Sequence, residues 1–465
     1  MKWSIRQSDA ESKLCQQVAV ELLTELFPVE VVMDILQGNQ LWEQRERRLN
    51  QLWMIYLLIG WGLYADRALR HAASQLSHIP CLLREGAESQ VPVPSALCYR
   101  RQQLGSLPLV ELMRRVCRPL AQPQTTPDAF RFGLRLMALD GTIETVADTP
   151  TLAAGFGRLS GRKGESAYPQ VQGVYLLECG THAIVDALFV PCCSNERHAA
   201  HVLLRSLAPG MLLLWDTGFH GFDLFRRARR TGAHVLGRLP AGPSPQKIER
   251  LSDGSWLVDI QPGDNKRRRK GERQRLRLIE YTLTDPQVPG YGQQHRLLTT
   301  LLDPQQASAL EVVCCYHERW EVELGIDELD THQRALTPVL RSKKPDLVLQ
   351  ELYALVLAHY LIRFWMLRTA VEQRVDPDRL SFTHAVQIIR QFLPTVQVLR
   401  VQDWPALKAR LCQQMGQVRV PQRLLRINAR VVKRKYSPFD LKRPHHRHPP
   451  RFPKEFLFRD LVLLI

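Results

Sequence analysis

Five short apolar runs between residues 134 and 239 constrain the fold of this chain more than any other feature of its sequence. The runs lie at 134–139, 170–178, 182–191, 211–215 and 234–239. Their lengths and their apolar side chains predict strands. Stretches at 195–207 and 222–231 predict helices between the later strands. Three consecutive strands followed by alternating helix and strand predict a mixed sheet covered by helices, which is an α/β fold.

The segments on both sides of this region have a helical pattern. Apolar residues recur at spacings of three and four from residue 15 to about 120 and again at 307–331 and 347–369. A Pro-rich stretch at 117–130 predicts a linker into the α/β region. The most apolar segment, 52–65, is about fourteen residues long, whereas a membrane helix needs roughly 20. We interpret it as a buried core helix and expect no membrane partner.

The charge balance indicates a polyanionic partner. The 465 residues include 63 Lys and Arg against 46 Asp and Glu, a formal net charge of +17. The segment 264–277 has eight basic residues against two acids, and 419–454 has twelve against one. Such density is typical of contact with phosphates, and a solvated surface loop is the alternative. The first basic segment lies in a turn-rich stretch, 241–295, that we interpret as a β-rich insertion.

The cysteines and the N-terminus bear on the compartment. Ten cysteines are present without a Cys-x-x-Cys pair, and no apolar run follows the first charged residues. We therefore expect neither a disulfide scaffold nor a thiolate zinc site, and we expect a cytoplasmic protein.

Two carboxylates follow predicted strands directly. Asp140 comes after the run at 134–139, and Asp216 after the run at 211–215. Ligands of α/β sheets gather at strand ends. If the two strands are neighbours, the carboxylates face each other and need a counter-charge, which a divalent metal supplies. The alternative for either residue is a turn or a helix cap.

A third carboxylate comes from the predicted helix 307–331. At about 100° per residue, Tyr316, Arg319 and Glu323 fall within a stripe of roughly 60°. A hydroxyl, a guanidinium and a carboxylate on one face suit a phosphate and a metal. The alternative is an ordinary Arg–Glu pair on the surface of a helix.

Three segments resemble the signature regions of the insertion element 4 family of DDE transposases. They are LDGTIETVADTPTLAAGFG (139–157), LLLWDTGFHGFDLF (212–225) and YHERWEVELGIDELDTHQ (316–333), of which the last contains Y-x2-R-x3-E. Upstream, LFPVEVVMDILQGNQ (26–40) is similar to the N-terminal domain of that family. The resemblance covers nearly the whole chain.

The resemblance implies a catalytic site in a ribonuclease H-like core. Asp140, Asp216 and Glu323 are then the catalytic acids and bind two Mg²⁺, for which Mn²⁺ is a possible substitute. Tyr316 and Arg319 contact DNA near the scissile phosphate. The family also has a β insertion between its second and third acids, which matches the turn-rich stretch noted above. Within that stretch we expect DNA contacts from the basic cluster Lys266, Arg267, Arg268, Arg269 and Lys270.

The implied function is that of a DNA transposase, an endonuclease and strand transferase that cleaves the ends of its element and joins the 3′-hydroxyls to target DNA. Its expected partners are double-stranded DNA, as terminal inverted repeats and as target, and a second copy of the chain, so that a homodimer forms on DNA. No nucleotide cofactor is expected, and the protein is expected in the cytoplasm, associated with the nucleoid. Two alternatives remain: a nuclease of the same fold without strand transfer, and a catalytically inactive DNA-binding relic.

Two residues depart from the family pattern or compete with it. Asp330 stands seven residues after Glu323, where the family has Lys. Asp327 lies four residues after Glu323 and is close enough on a helix to compete as a metal ligand.

The expected organisation has five segments. They are a helical N-terminal domain that recognises DNA ends (1–125), the first part of the ribonuclease H-like core (126–240), the basic β-rich insertion (241–295), the second part of the core with the Glu helix (296–370), and a basic helical C-terminal region (371–465).

Overall fold

The computed structural model describes residues 21–43, 49–76, 91–161, 164–286, 291–334, 339–396, 403–421 and 457–465. The strands are β1 Phe130–Arg131, β2 Leu134–Val146, β3 Ser160–Gly161, β4 Gly164–Glu165, β5 Gln170–Glu178, β6 Ile184–Pro191, β7 Met211–Trp215, β8 His234–Arg238, β9 Gln246–Arg250, β10 Trp256–Ile260, β11 Gln274–Leu283, β12 His295–Thr299, β13 Val339–Leu340 and β14 Val462–Leu464. The α-helices are α1 Glu21–Thr24, α2 Val29–Gly38, α3 Gln51–Leu63, α4 Leu69–Gln75, α5 Pro94–Leu104, α6 Leu107–Val116, α7 Pro150–Phe156, α8 Glu196–Leu203, α9 Phe222–Arg230, α10 Asn265–Arg269, α11 Ala309–His317, α12 Trp320–Asp327, α13 Pro345–Gln373, α14 Phe382–Val396 and α15 Trp404–Met415.

The five strands predicted between residues 134 and 239 are all present, as β2, β5, β6, β7 and β8. The first one is longer than predicted, because it continues through Asp140 to Val146. The added residues include β-branched side chains, which favour strands, and the end of β2 pairs in parallel with β13. Asp140 therefore lies within a strand, and the prediction that it follows the strand was wrong.

The chain forms two compact units. The first unit comprises Met1–Ala129, Gly141–Ala199 and Glu323–Val420. The second unit comprises Phe130–Asp140, Ala200–Val322 and Pro421–Ile465. The strand β2 contributes to both, because the division falls between Asp140 and Gly141.

The first unit is built around the long helix α13. This helix packs against α3, α6, α14, α15 and β6. The strands of this unit follow the order β6-β5-β2, with β5 and β6 antiparallel. All residues of α3 are buried, which confirms the prediction of a core helix near residues 52–65. By length and composition α13 is the one helix among the described residues that could span a membrane, but 89% of its most apolar window is buried, as in the core helix of a folded domain.

The second unit is built around a β-sheet. Its strand order is β2-β7-β8-β12-β11-β10-β9, and β14 pairs with β11. The strands β2, β7 and β8 are parallel, whereas the pairs from β8 outward are antiparallel. The helix α9 covers β8. The predicted β-rich stretch 241–295 contains the strands β9, β10 and β11 and the short helix α10, and its role as an insertion in the core stays a prediction.

The segment predicted as one helix over 307–331 is broken twice. Between α11 and α12, at Glu318–Arg319, backbone N–H groups bond to carbonyls three residues back, as in a 3₁₀ turn. After α12 the chain forms a π-helical segment, Glu328–Gln333. Its ends are held by side chains in the first unit: Glu328 pairs with Arg363, and the Gln333 amide donates to the carbonyl of Gly62 at 3.0 Å.

Candidate active site

The two aspartates predicted as metal ligands lie at the same level of adjacent parallel strands. In the register of β2 and β7, Leu139 is paired with Trp215. The next residues are Asp140 and Asp216, and Asp216 still has extended backbone angles (φ −86°, ψ −174°). Neighbouring strands lie about 4.8 Å apart, and paired residues of parallel strands point to the same face. The second unit therefore holds the two half-buried carboxylates side by side.

Asp216 also stabilises the turn that follows it. Its Oδ1 accepts a hydrogen bond of 2.8 Å from the backbone N–H of Gly218 and caps the 3₁₀ turn Thr217–Phe219. This is the local role that Asp often has after a strand. Because the cap uses Oδ1, the other carboxylate oxygen remains to bind an ion, so the two interpretations of this residue are compatible.

Arg319 and Tyr316 join the aspartates in the second unit. Nη1 of Arg319, a residue only 7% exposed, lies 3.4 Å from Oδ2 of Asp140. The hydroxyl of Tyr316 donates to the carbonyl of Trp215 at 3.2 Å. Burial raises the pKa of Tyr316 to about 12, and the Arg319 guanidinium opposes this rise. The phenol thus stays protonated and is a hydrogen-bond donor throughout the neutral range.

Arg238 is a residue of this edge that sequence reasoning missed. Trp215 is paired with Gly237 in the parallel register of β7 and β8, so Arg238 lies beside Asp216. Its charge also lowers the pKa of Tyr316, and its Nη2 lies 3.0 Å from Nδ1 of His295. Its signal in the sequence is an Arg next to the last residue of the fifth predicted strand, 234–239.

Glu323 lies on α12, and its side chain is half-buried. It belongs to the first unit, whereas Asp140 and Asp216 belong to the second, so the meeting of the three acids stays a prediction. The possible competitor Asp327 is exposed, accepts a hydrogen bond from Thr331 at 2.7 Å, and lies 3.3 Å from His332.

Asp330, in the position of the family Lys, belongs to a polar cluster in the first unit. The hydroxyl of Thr142 donates to Oδ2 of Asp330 at 3.2 Å, and Arg334 lies between Glu144 and Asp330, at 4.0 Å from the latter. Burial and the neighbouring Glu144 carboxylate raise the pKa of Asp330 to about 8. At neutral pH this carboxyl is therefore mainly protonated, and the Lys-to-Asp change adds little negative charge.

The five basic residues predicted to contact DNA lie on and next to α10, but they differ in their partners. Arg267 pairs with Asp223 and Glu272. Arg268 donates weakly to the carbonyl of Pro262 at 3.3 Å. The remaining three have exposed side chains: Lys266, Arg269 and Lys270. Most of the second predicted basic region, 419–454, lies outside the described residues.

The sequence matches two known protein families and two related transposases. Residues 17–114 match the insertion element 4 transposase N-terminal family, and residues 131–361 match the transposase DDE domain. The chain is 31% identical over 398 residues to transposase InsG for insertion sequence element IS4 from Escherichia coli (strain K12), an alignment that covers 84% of this chain and 86% of InsG. It is 26% identical over 226 residues to InsZ of the same strain, covering 48% of this chain and 72% of InsZ.

Among solved structures, a chain of the piggyBac transposase synaptic complex with hairpin DNA aligns with a TM-score of 0.44 and 11% identity over 86% of both chains. The family evidence comes from the sequence matches, which include 31% identity across most of both proteins. DDE transposases are enzymes with a ribonuclease H-like core that use divalent metal ions to act on DNA. The chain belongs to the insertion element 4 family of DDE transposases.

Proposed function

We propose that the protein cleaves the ends of its insertion sequence and joins the resulting 3′-hydroxyls to target DNA, with Asp140, Asp216 and Glu323 as the catalytic, metal-binding acids. The observation that carries the proposal is the pairing of Leu139 with Trp215 in adjacent parallel strands, so that the next residues, Asp140 and Asp216, lie at one level. Arg319, at 3.4 Å from Asp140, is a cation at the place where a phosphate would lie.

The donor set fits Mg²⁺. The two aspartates offer hard carboxylate oxygens, which Mg²⁺ prefers, and Glu323 adds a third carboxylate. Two Mg²⁺ held by these acids, or Mn²⁺ in their place, would supply the positive charge that activates the attacking oxygen and stabilises the leaving oxygen.

The chain's own donors orient the phosphate. When the charge of Asp140 is compensated by an ion, Arg319 can turn its planar fork to a non-bridging phosphate oxygen. Tyr316, protonated because its pKa is about 12, donates a hydrogen bond without adding charge. Arg238 supplies a second cation on the other side of Asp216. These groups hold the phosphodiester in line for displacement, which is the main task of a protein in phosphoryl transfer.

The partners follow from the reaction. The substrates are the terminal inverted repeats of the element and the target duplex. Pairing two ends requires two active sites, so we propose a homodimer on DNA. The protein acts in the cytoplasm, where its DNA substrate lies, and associates with the nucleoid.

The test is cleavage and strand transfer on DNA that carries the ends flanking this gene, with and without Mg²⁺. The variant Asp216→Asn keeps an oxygen to cap Gly218 but loses the carboxylate, so it should fold normally and lose both reactions. Glu323→Ala should lose both reactions as well, whereas Asp327→Ala should keep them. Metal-dependent cleavage without joining would identify a nuclease, and binding without any cleavage by the wild type would identify a DNA-binding relic.

A further inference from the structure

Helix α9 has one apolar face and one charged face. Its buried residues, which cover β8, are Phe222, Leu224, Phe225 and Ala228. At about 100° per residue, the charged residues of the opposite face lie within roughly 100° of one another. They are Asp223, Arg226, Arg227 and Arg230.

The basic helix α10 is held on this charged face. Arg267 donates to both carboxylate oxygens of Asp223 at 2.9 Å, in the two-pronged geometry that is strongest for this pair. It also donates to Glu272 at 2.8 Å, and Glu272 lies 3.3 Å from Arg226. These hydrogen bonds from Arg267 lower the pKa of Asp223 and of Glu272. The guanidinium also lies 5.3 Å from the ring centre of Phe222.

The pairing leaves an excess of cations around it. Both Asp223 and Glu272 are used by Arg267 and Arg226, so they do not neutralise the remaining basic side chains. Seven cations on or next to the two helices are exposed, and two of them, Arg229 and Arg268, donate to backbone carbonyls. The other five, here called the α9–α10 surface, are Arg227, Arg230, Lys266, Arg269 and Lys270. Five exposed cations on two adjoining short elements are the electrostatic footprint of a phosphate-binding surface.

This surface is near the aspartates of the same unit. Helix α9 begins six residues after Asp216, and its nine residues span about 14 Å. The phosphates of each strand are spaced by about 3.4 Å along the axis of a duplex. A duplex with a phosphodiester at Asp140 and Asp216 would therefore bring phosphates about four to six base pairs away to α9.

We propose that the α9–α10 surface binds the backbone of the element-end DNA within about half a helical turn of the cleaved bond, and that Arg267 is a positioning residue that holds α10 in place. The proposal rests on the proposed function, because the end must remain bound through cleavage and joining, whereas the target enters only for joining. Of the five basic residues expected to touch DNA, the proposal makes Lys266, Arg269 and Lys270 contacts and Arg267 the clamp.

The first test compares the salt dependence of DNA affinity. The full chain is titrated with a duplex of the element end in EDTA, so that no cleavage occurs. The logarithm of the DNA association constant falls linearly with the logarithm of the salt concentration, and each phosphate contact makes this slope steeper by about 0.9. The variant Arg227→Gln/Arg230→Gln should therefore have a slope that is shallower by about 2. The control Lys343→Gln/Arg410→Gln removes two exposed cations of the first unit and should leave it unchanged. An unchanged slope in Arg227→Gln/Arg230→Gln overturns the proposal that the α9–α10 surface binds DNA.

The role of Arg267 as a clamp is tested by whether Asp223→Asn binds DNA more tightly or more weakly than the wild type. Asp223→Asn removes a negative charge, so simple electrostatics predicts tighter DNA binding. If Arg267 must hold α10 on Asp223, the variant should instead bind several-fold more weakly, and so should Arg267→Gln. The control Glu249→Gln, at an exposed acid of the insertion, should bind as tightly as the wild type or tighter. Tighter binding by Asp223→Asn overturns the role of Arg267.

A footprint locates the contacted DNA. Wild-type protein should protect sugars about four to six base pairs from the cleaved bond, and Arg227→Gln/Arg230→Gln should lose that protection. If the α9–α10 surface protects target DNA but not the element end, the assignment of this surface to the element end is overturned. The two proposals fail separately: normal cleavage with an unchanged slope rejects only the surface, whereas a changed slope without metal-dependent cleavage rejects only the proposed function.

Discussion

Single residues of the candidate site hold local structure and also take part in the proposed chemistry. Asp216 caps a turn through one oxygen while it neighbours Asp140. Tyr316 donates to the backbone of the strand that ends before Asp216. Because these side chains are fixed by backbone contacts, they need little reorganisation when a phosphate arrives, which is the physical basis of a preorganised site.

Arg238 gives the first prediction at this scale. Because it lies beside Asp216, we expect it to donate to the reacting phosphate, so Arg238→Gln should slow single-turnover cleavage about a hundredfold, as loss of a preorganised donor commonly does. DNA affinity should change little. Arg250→Gln, at an exposed Arg of β9, is the control. Equal cleavage rates for both variants would remove Arg238 from the site.

The raised pKa of Asp330 gives a second prediction. The folded chain keeps a proton on this carboxyl up to about pH 8, whereas the unfolded chain releases it near the ordinary pKa of an Asp carboxyl, 3.8. Stability contributed by this proton is therefore lost as the pH rises through that interval. Asp330→Asn should flatten the fall of Tm between pH 5 and pH 9 and melt above the wild type at pH 9.

The control for this experiment is Asp327→Asn, because Asp327 lies three residues earlier and is exposed. Its Tm should follow the pH as that of the wild type does. Parallel curves of Tm against pH for wild type and Asp330→Asn would contradict the assignment of the proton to Asp330.

At the scale of elements, the close approach of β7 and β8 sets the position of Asp216. A Cβ on Gly237 would lie 2.0 Å from Nε1 of the fully buried Trp215, the residue before Asp216. Gly237→Ala must displace that ring, so it should lower the free energy of unfolding by about 1 to 3 kcal/mol and reduce cleavage. Calorimetry and the cleavage assay measure the two effects.

Two further variants make the cause specific. A Cβ on Gly242 meets nothing within 4 Å, so Gly242→Ala should be nearly neutral. Trp215→Phe added to Gly237→Ala provides room for the new methyl group and should restore part of the activity. If the double variant is no better than Gly237→Ala alone, contact with the Trp215 ring is not the reason for the glycine.

At the scale of the whole molecule, the net charge of +17 governs the affinity for DNA. With about six phosphate contacts, affinity should fall roughly a thousandfold between 50 and 200 mM salt. Binding should not require metal, and Asp216→Asn should bind as tightly as the wild type, since the energy comes from Lys and Arg. Fluorescence anisotropy in EDTA measures both, and salt-insensitive binding would contradict the electrostatic account.

Much of the architecture could be predicted from the sequence because local pattern specifies it. The runs at 170–178 and 211–215 became β5 and β7 with the predicted bounds, and the apolar segment near 52–65 became the buried helix α3. Alternation and apolar period depend on neighbours within one element, so they are readable without the rest of the chain. The acidic residues of the candidate site were predicted in the same way, from their places next to apolar runs and on a predicted helix.

The sequence by itself determined the class of fold, the basic character and the candidate acids, since these depend on residue type and spacing. The tertiary structure alone decided that β2 continues beyond Asp140, that Asp216 lies between Asp140 and Arg238, and that the helix predicted at 307–331 breaks at Glu318–Arg319. It also decided that Arg267 pairs with Asp223. Each of these depends on strand register or on contacts between residues far apart in the chain, and no local pattern encodes such pairing.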